Sequence, residues 1–328
     1  MKKRKIFAII IAVYLLIMVA GVGGVYLYVQ HQLNKIERLD TNALAGQDML
    51  EDNTEIVEDD EEKTSEDIIN ILLIGEDSRD PEESGRSDTM LILSINQKTD
   101  TLSLISLMRD MYVTIPEHGE NRINAAYALG GAALLDKTIK ENFGISIDAN
   151  VAVDFSGFQE AIDILDGVDL VLTSDEIDWI NRSVSTPIVS TTSGSERYVH
   201  LNGEQALAFS RIRKLPTRNG TENDYGRTER QREVIQTVFQ KIRGEKWRTL
   251  LKLADQLLPL VSTDLKNKQI LGYGYDVWRM GVQNMKTYRI PADGDCENET
   301  IRGMMVLVPD LDACKKNMQE WIYEEPEE

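Results

Sequence analysis

The chain opens with a basic cluster, Lys2 to Lys5, and then runs from Ile6 to Val29, 24 residues, without a charge. A helix rises about 1.5 Å per residue and roughly 20 apolar residues cross a bilayer, so this run predicts one N-terminal transmembrane helix. A cleaved leader has an apolar core of about 7–15 residues followed by a small-residue site. Ala20-Gly21-Val22-Gly23-Gly24 imitates such a site, but the apolar run continues past it to Tyr28. Its length favours an uncleaved anchor. The basic cluster then puts residues 1–5 in the cytoplasm and everything after Gln30 outside, in a single-pass protein of the cell membrane.

From Asp40 to Asp67 the pattern loses its periodicity and carries twelve Asp or Glu against one Lys. Such a stretch repels itself and stays solvated, so residues 30–67 are expected to form an extracellular tether. The outer domain is then residues 68–328. Within it, Asn70 to Ile74 (NILLI) is a short apolar run ending in Gly75-Glu76-Asp77, the pattern of a buried strand entering a charged loop. Thr89 to Ile95 and Thr101 to Leu107 are two more strands, and Asn96 to Asp100 between them reads as a hairpin turn.

Helical spacing predicts Asn124 to Phe143, weakened in the middle by Gly130-Gly131. A strand from Val151 to Phe155, a helix from Ser156 to Leu165 and a strand from Val168 to Leu172 follow. The Ser/Thr-rich segment Thr173 to Val199 reads as irregular. Asn202-Gly203-Glu204 opens a helix ending near Arg211, and Arg227 to Arg243, Trp247 to Leu258 and Asp310 to Tyr323 are further helices. Strands alternating with helices give an α/β class with a mixed sheet.

Composition narrows the function. An apolar share of 42% and a charged share of 28% exclude wholesale disorder, and a formal charge of -19 argues against nucleic acid as a partner. Two cysteines exclude a disulfide-dense fold. Three histidines leave little material for a histidine-rich metal centre or a Ser-His-Asp enzyme. Cys296 and Cys314 read equally well as a disulfide or as two buried thiols.

The hairpin brings Asp88 beside Arg109 and Asp110, and Asp77 reaches the same edge if its strand is parallel to Thr101–Leu107. Open α/β sheets bind ligands at the carboxyl ends of their strands. Arg79, Arg86, Arg109 and Arg122 gather near that edge, and Arg211, Arg213, Arg218, Arg227, Arg230 and Arg232 come later. On the Arg227 helix, Gln231 at i+4 shares a face with Arg227. Arginine suits two-pronged binding of phosphate oxygens, and Asp77 with Asp88 suits a magnesium ion that shares those oxygens. Each pair taken alone reads as an ordinary solvated ion pair worth about 0–1 kcal/mol; the set together points to phosphate or pyrophosphate. No G-x-x-x-x-G-K loop, G-x-G-x-x-G turn or G-x-S-x-G elbow occurs.

At these residues the sequence resembles the LytR-CpsA-Psr family of Gram-positive cell-envelope proteins. The resemblance rests on NILLIGEDSR (70–79), GRSDTMLILSIN (85–96), RINAAYALGG (122–131), HLNGEQALAFSRIR (200–213) and DYGRTERQ (224–231). It implies an α/β/α sandwich with a central mixed sheet and an apolar tunnel for a polyprenyl tail. It also implies transfer of a glycopolymer such as teichoic acid or capsular polysaccharide, with one phosphate, from polyprenyl pyrophosphate to a peptidoglycan hydroxyl. Asp77 and Asp88 match the positions associated with magnesium (or manganese). Arg86, Arg109, Arg211, Arg213 and Arg227 match the pyrophosphate-binding arginines, with Gln231 beside them. Arg122 and Asp224 match further pocket positions, and Asp88 or Asp224 is the expected proton acceptor, with Arg109 catalytic beside them.

Three departures stand out: Met108 where the family commonly has proline, Glu76 in place of a small polar residue, and a longer loop between Arg213 and Asp224. The same site with water as acceptor would make a polyprenyl-pyrophosphate hydrolase. Binding without turnover would make a lipid-sensing regulator, such as a transcriptional attenuator. A cytoplasmic segment of residues 1–5 is too short to recognise DNA directly.

Overall fold

A computed structural model describes residues 28–39, 67–77, 86–189 and 196–323. At its centre is a seven-stranded sheet in the order β1-β10-β7-β2-β3-β4-β11. These strands are β1 (Glu37–Arg38), β2 (Ile68–Asp77), β3 (Arg86–Asn96), β4 (Thr101–Leu107), β7 (Ala149–Asp154), β10 (Ser262–Thr263) and β11 (Lys286–Ile290). The expected hairpin joins β3 and β4, and β3 is antiparallel to β2, so β2 and β4 run the same way. The β2–β7 and β4–β11 pairs are parallel, which makes the sheet mixed. Among the described residues three two-stranded antiparallel sheets lie outside it: β5 (Tyr112–Ile115) with β6 (Gly119–Arg122), β8 (Val168–Thr173) with β9 (Glu196–Leu201), and β12 (Cys296–Ile301) with β13 (Met304–Pro309).

Ile71 to Ile74 are all apolar because β2 is covered on both faces. Leu72 and Ile74 point into one core, with helices α1 (Asn124–Phe143) and α8 (Leu311–Tyr323). Ile71, one pleat away, points into the other, toward α5 (Asn223–Arg243) and α7 (Asn267–Met280). A third core holds β8, β9 and the helices α2 (Phe155–Ile164), α3 (Ser174–Asn181) and α4 (Gly203–Ser210). Helix α6 spans Trp247–Leu257. The result is the expected α/β/α arrangement.

Local chemistry explains where the elements break. Helix α1 carries the expected weak point: Gly131 sits at φ 62°, ψ −156°, a region open to glycine and strained for other residues. Gly203 lets α4 approach α2, since a Cβ there would lie 2.1 Å from the Gln159 carbonyl oxygen. The Ser/Thr-rich composition of 173–199 predicts an irregular connection; the structure instead places α3 and β9 at its two ends. Thr173 and Glu176 close a capping box that starts α3. Helix α5 begins at Asn223, four residues before the expected start. Helix α7 and the β12–β13 hairpin have no counterpart in the sequence reading.

Among the described residues no helix is long and apolar enough to cross a membrane. Of the expected anchor, residues 6–27 lie outside the described residues, as does the acidic segment 40–66. Residues 30–39, which the charge pattern assigns to the tether, are seated on the domain. Leu33 and Ile36 are buried, and Glu37–Arg38 adds a strand beside β10. Cys296 and Cys314 are free thiols, and burial, with Asp295 next, pushes Cys314 up to about 12.

One buried acid ties α1 to the sheet. Asp136 accepts from the Asn150 side chain of β7, which also donates to Asp264. Burial pushes the Asp136 carboxyl up to about 7; the Asn150 hydrogen bond opposes this and Asp264 adds to it. The folded chain therefore holds this proton more tightly than the unfolded chain, whose carboxyl titrates near 3.9. This group favours the fold most below about pH 4, and its contribution falls away as pH rises through about 7. Asp136→Asn is expected to be more stable than wild type at pH 8 and no more stable at pH 4, read by thermal melts. Equal melting differences at both pH values would contradict the assignment.

Candidate functional site

The carboxyl ends of β2 and β7, the start of β3, helix α2 and residues 227–238 of α5 line a cavity of about 610 Å³. Its floor is the sheet, through Leu73, Leu91 and Val151. Its walls are Phe155, Phe158, Ala161 and Ile162 of α2 and Val234, Ile235 and Val238 of α5. Leu165, Trp179, Leu207 and Val261 add to the apolar lining. The charged residues Asp88, Asp154, Arg211, Arg213, Lys214 and Arg227, with Gln231, line the same cavity. On α5 the change in character follows helical geometry. Arg227 and Gln231 occupy the first turns of one face, and Val234, Ile235 and Val238 continue that face.

Two ion-paired groups meet the charged lining, one through Asp88 and one through Arg213 and Arg227. Arg109 donates to Asp88, as the hairpin reading expects. The Arg109 Nε lies 3.6 Å from Asp110, whose other oxygen is 3.3 Å from Arg122 Nη1. Asp224 sits between Arg213 Nε at 3.3 Å and Arg227 Nη1 at 3.1 Å. Arg211 lies over the Phe155 ring, 4.6 Å from its centroid, which fixes a planar guanidinium against the apolar wall.

Arg227 is the most confined of the set, with 3% of its surface exposed. Burial pulls its guanidinium down to about 10; Asp224 supports the charge, Arg109 and Arg213 oppose it, and Asp88 supports it. Its Nε and that of Arg109 are buried without a hydrogen-bond partner. Several cations thus crowd one place with donors to spare, an arrangement that favours a multiply charged anion.

Other candidates fall around this centre. Asp77 ends β2 opposite Arg86, the first residue of β3. Neither Arg109 nor Arg122 lines the cavity itself: Arg109 meets it through Asp88, while Arg122 pairs with Asp110 and donates to the Met305 carbonyl. Arg79 lies outside the described residues. Arg230, which the sequence groups with Arg227, points into the protein instead. It binds Glu176 at 2.7 Å and the carbonyls of Ile212, Leu215 and Pro216.

The sequence reading missed Phe155 and the individual residues of the apolar wall. Val234, Ile235 and Val238 could have been found by extending the Arg227–Gln231 face along the helix. Glu76 accepts from Tyr127, whose hydroxyl burial pushes far above its usual range, with that hydrogen bond adding to the effect. This partner accounts for a carboxylate in place of a small polar residue.

Among the described residues no three His, Cys, Asp or Glu groups are placed to hold a metal ion. Asp77 and Asp88 are two carboxylates on adjacent strands at the mouth of the arginine cluster. That donor set fits a hard cation such as magnesium, which takes one or two carboxylates and completes its shell with phosphate oxygens and water.

Residues 27–321 match the LytR_cpsA_psr family. A relative from Oceanobacillus iheyensis, named polyisoprenyl-teichoic acid--peptidoglycan teichoic acid transferase TagU, is 39% identical over 182 residues, which are 53% of this chain and 51% of that protein. Regulatory protein MsrR of Staphylococcus aureus is 32% identical over 235 residues, 70% of this chain and 66% of that one. The matched region thus spans about half to two thirds of these relatives. A solved structure described as the LytR-CPS2A-psr family protein YwtF (TagT) with bound octaprenyl pyrophosphate lipid has a TM-score of 0.58 at 24% identity. It covers 81% of this chain and 94% of its own, a likeness of fold.

Proposed function

Because the chain belongs to the LytR_cpsA_psr family, we propose that it is a membrane-anchored transferase moving a glycopolymer from polyprenyl pyrophosphate to peptidoglycan. The observation that carries this reading is one cavity that joins an arginine cluster to a long apolar wall. A pyrophosphate attached to an isoprenoid chain has that division of chemistry. The name of the TagU relative favours a teichoic acid as the cargo. The TagT likeness supports the fold, and this chain's own cavity supports the lipid. The uncharged run 6–29 behind a basic cluster supports a single-pass anchor with the domain outside the cell.

In the proposed reaction the acceptor hydroxyl oxygen attacks the phosphorus that bears the glycan. The bond from that phosphorus to the bridging oxygen breaks, and the bridging oxygen leaves as part of polyprenyl phosphate. The hydroxyl proton passes to a carboxylate, Asp88 or Asp224. Arg109, Arg211, Arg213 and Arg227, with Gln231, hold the two phosphates and offset the charge that builds on them. Phe155 orients Arg211, and Arg122 acts through Asp110 on Arg109. A magnesium ion held by Asp77 and Asp88 would supply further charge neutralisation at the phosphates. The apolar wall sequesters the tail and keeps water from the reacting phosphorus on that side.

Binding tests the reading before any turnover. The full-length protein in detergent is titrated with inorganic pyrophosphate, farnesyl pyrophosphate and a long-chain polyprenyl pyrophosphate. Each buried CH₂ contributes about 0.8 kcal/mol, so affinity is expected to rise more than about tenfold along the series. Equal affinity for all three would show that the apolar wall does not receive the tail, and would overturn the lipid assignment.

A further inference from the structure

Helix α7 has two apolar faces, and only one of them is used by the fold. Tyr273, Val277 and Met280 pack against the sheet. On the opposite side Leu271, Tyr275 and Trp278, spaced i, i+4 and i+7, are 39%, 60% and 75% exposed. The Tyr275 and Trp278 rings stand 6.0 Å apart. Exposed Lys268 and Arg279 flank them on the same side, and exposed Lys266 precedes the helix. Arg279 has Asp100 at 3.9 Å, and Asp276 binds Gln97 on the helix flank. A stripe of aromatic and aliphatic side chains edged with cations is unusual on a chain of net charge -19.

The neighbouring chain indicates what covers it. The described structure begins at Tyr28, where the uncharged run ends, and residues 28–33 are helical. The side chains of Gln30 and Asn34 both accept from Asn267, the first residue of α7, at 2.9 and 2.8 Å. Arg38 reaches the Leu265 carbonyl and Lys35 pairs with Asp255. The chain that follows the apolar run is therefore held beside the first turn of α7. The sheet face that floors the cavity also continues beneath this helix: Leu73, Leu91 and Val151 belong to the same cluster as Tyr273 and Val277.

We propose that the exposed face of α7, Leu271, Tyr275 and Trp278 with Lys268 and Arg279, lies on the outer surface of an anionic bilayer. Tyrosine and tryptophan favour the headgroup level, where one end of the ring is apolar and the other wet, and the cations complement anionic lipid. The proposal rests on reading residues 6–29 as an anchor. The arginine cluster sits at the carboxyl ends of β2 and β4, whereas α7 packs on Ile69, Ile71, Leu102 and Leu104 nearer their starts. A lipid with its pyrophosphate at the arginines would thus direct its tail along the sheet toward the membrane side.

The test uses the full-length protein reconstituted in vesicles of phosphatidylglycerol and phosphatidylcholine, with and without lipid brominated near the top of the acyl chain. Bromolipid is expected to quench tryptophan emission, and Trp278→Phe to reduce that quenching roughly twofold. Because Trp278 is exposed, the substitution leaves the core untouched. Equal fractional quenching in wild type and Trp278→Phe overturns the proposal. So does a Trp278 signal that follows protein concentration and ignores bromolipid, which would mark the face as a contact between two copies. A chain that fails to float with the vesicles removes the anchor reading and this proposal together. Flotation with Trp278 unquenched removes this proposal alone.

Discussion

Arg227→Met is expected to lower glycopolymer transfer by about 100-fold or more while leaving the ligand-free protein at least as stable as wild type. The first half follows from position. Arg227 lines the cavity beside Arg213 and Asp224, and removing one fixed donor from a site of developing charge costs on the order of 10²–10³ in rate. The second half follows from the sign of its titration. A guanidinium held down at about 10 by burial and by Arg109 and Arg213 is a charge the fold carries at a cost at neutral pH. Methionine matches much of its length without that charge, and Arg213 remains to pair Asp224. An anion in the site returns the cost. Pyrophosphate should therefore raise the melting temperature of wild type and raise that of Arg227→Met much less. A variant that melts well below wild type and still transfers would place Arg227 among the structural arginines.

Arg230→Met is expected to do the reverse, destabilising the protein by about 3–5 kcal/mol and losing transfer as a consequence. Arg230 is 1% exposed and Glu176 2%, so removing the arginine strands a buried carboxylate. The same guanidinium gathers the carbonyls of Ile212, Leu215 and Pro216, the segment that carries Arg213 and follows Arg211. Urea unfolding of the single variant and of Arg230→Met with Glu176→Leu separates the two contributions. The double variant should recover part of the loss, because the stranded charge is gone, and should remain below wild type, because the three carbonyls lose their donor. A single variant within about 1 kcal/mol of wild type would mean that water reaches Glu176.

These two arginines show where sequence reading stops. They lie three residues apart on one helix and carry the same side chain. Their roles differ because Glu176, 54 residues away, meets only one of them. Periodicity places both on α5, and long-range pairing decides which faces the cavity. The features governed by local chemistry were legible. The NILLI run announces a strand buried on two faces, the five-residue turn announces the β3–β4 hairpin, and that hairpin brings Asp88 to Arg109. Helix α3 was missed: the capping box of Thr173 and Glu176 is a local signal, but its Ser/Thr-rich surroundings mask it. Helix α7 was not, because apolar residues on two opposite faces blur the single stripe that marks an amphipathic helix.

The central claim is that this site transfers a glycan phosphate between a lipid and the wall. It is tested most directly by incubating the full-length protein with a polyprenyl-pyrophosphoryl oligosaccharide, uncrosslinked peptidoglycan strands and magnesium. Mass spectrometry of the strands then reports the product. The account predicts a phosphodiester-linked glycan on the strand, matched by release of polyprenyl phosphate and absent with Arg109→Ala. Tight lipid binding with an unmodified strand and no released polyprenyl phosphate would contradict it, leaving a protein that holds the lipid without turning it over.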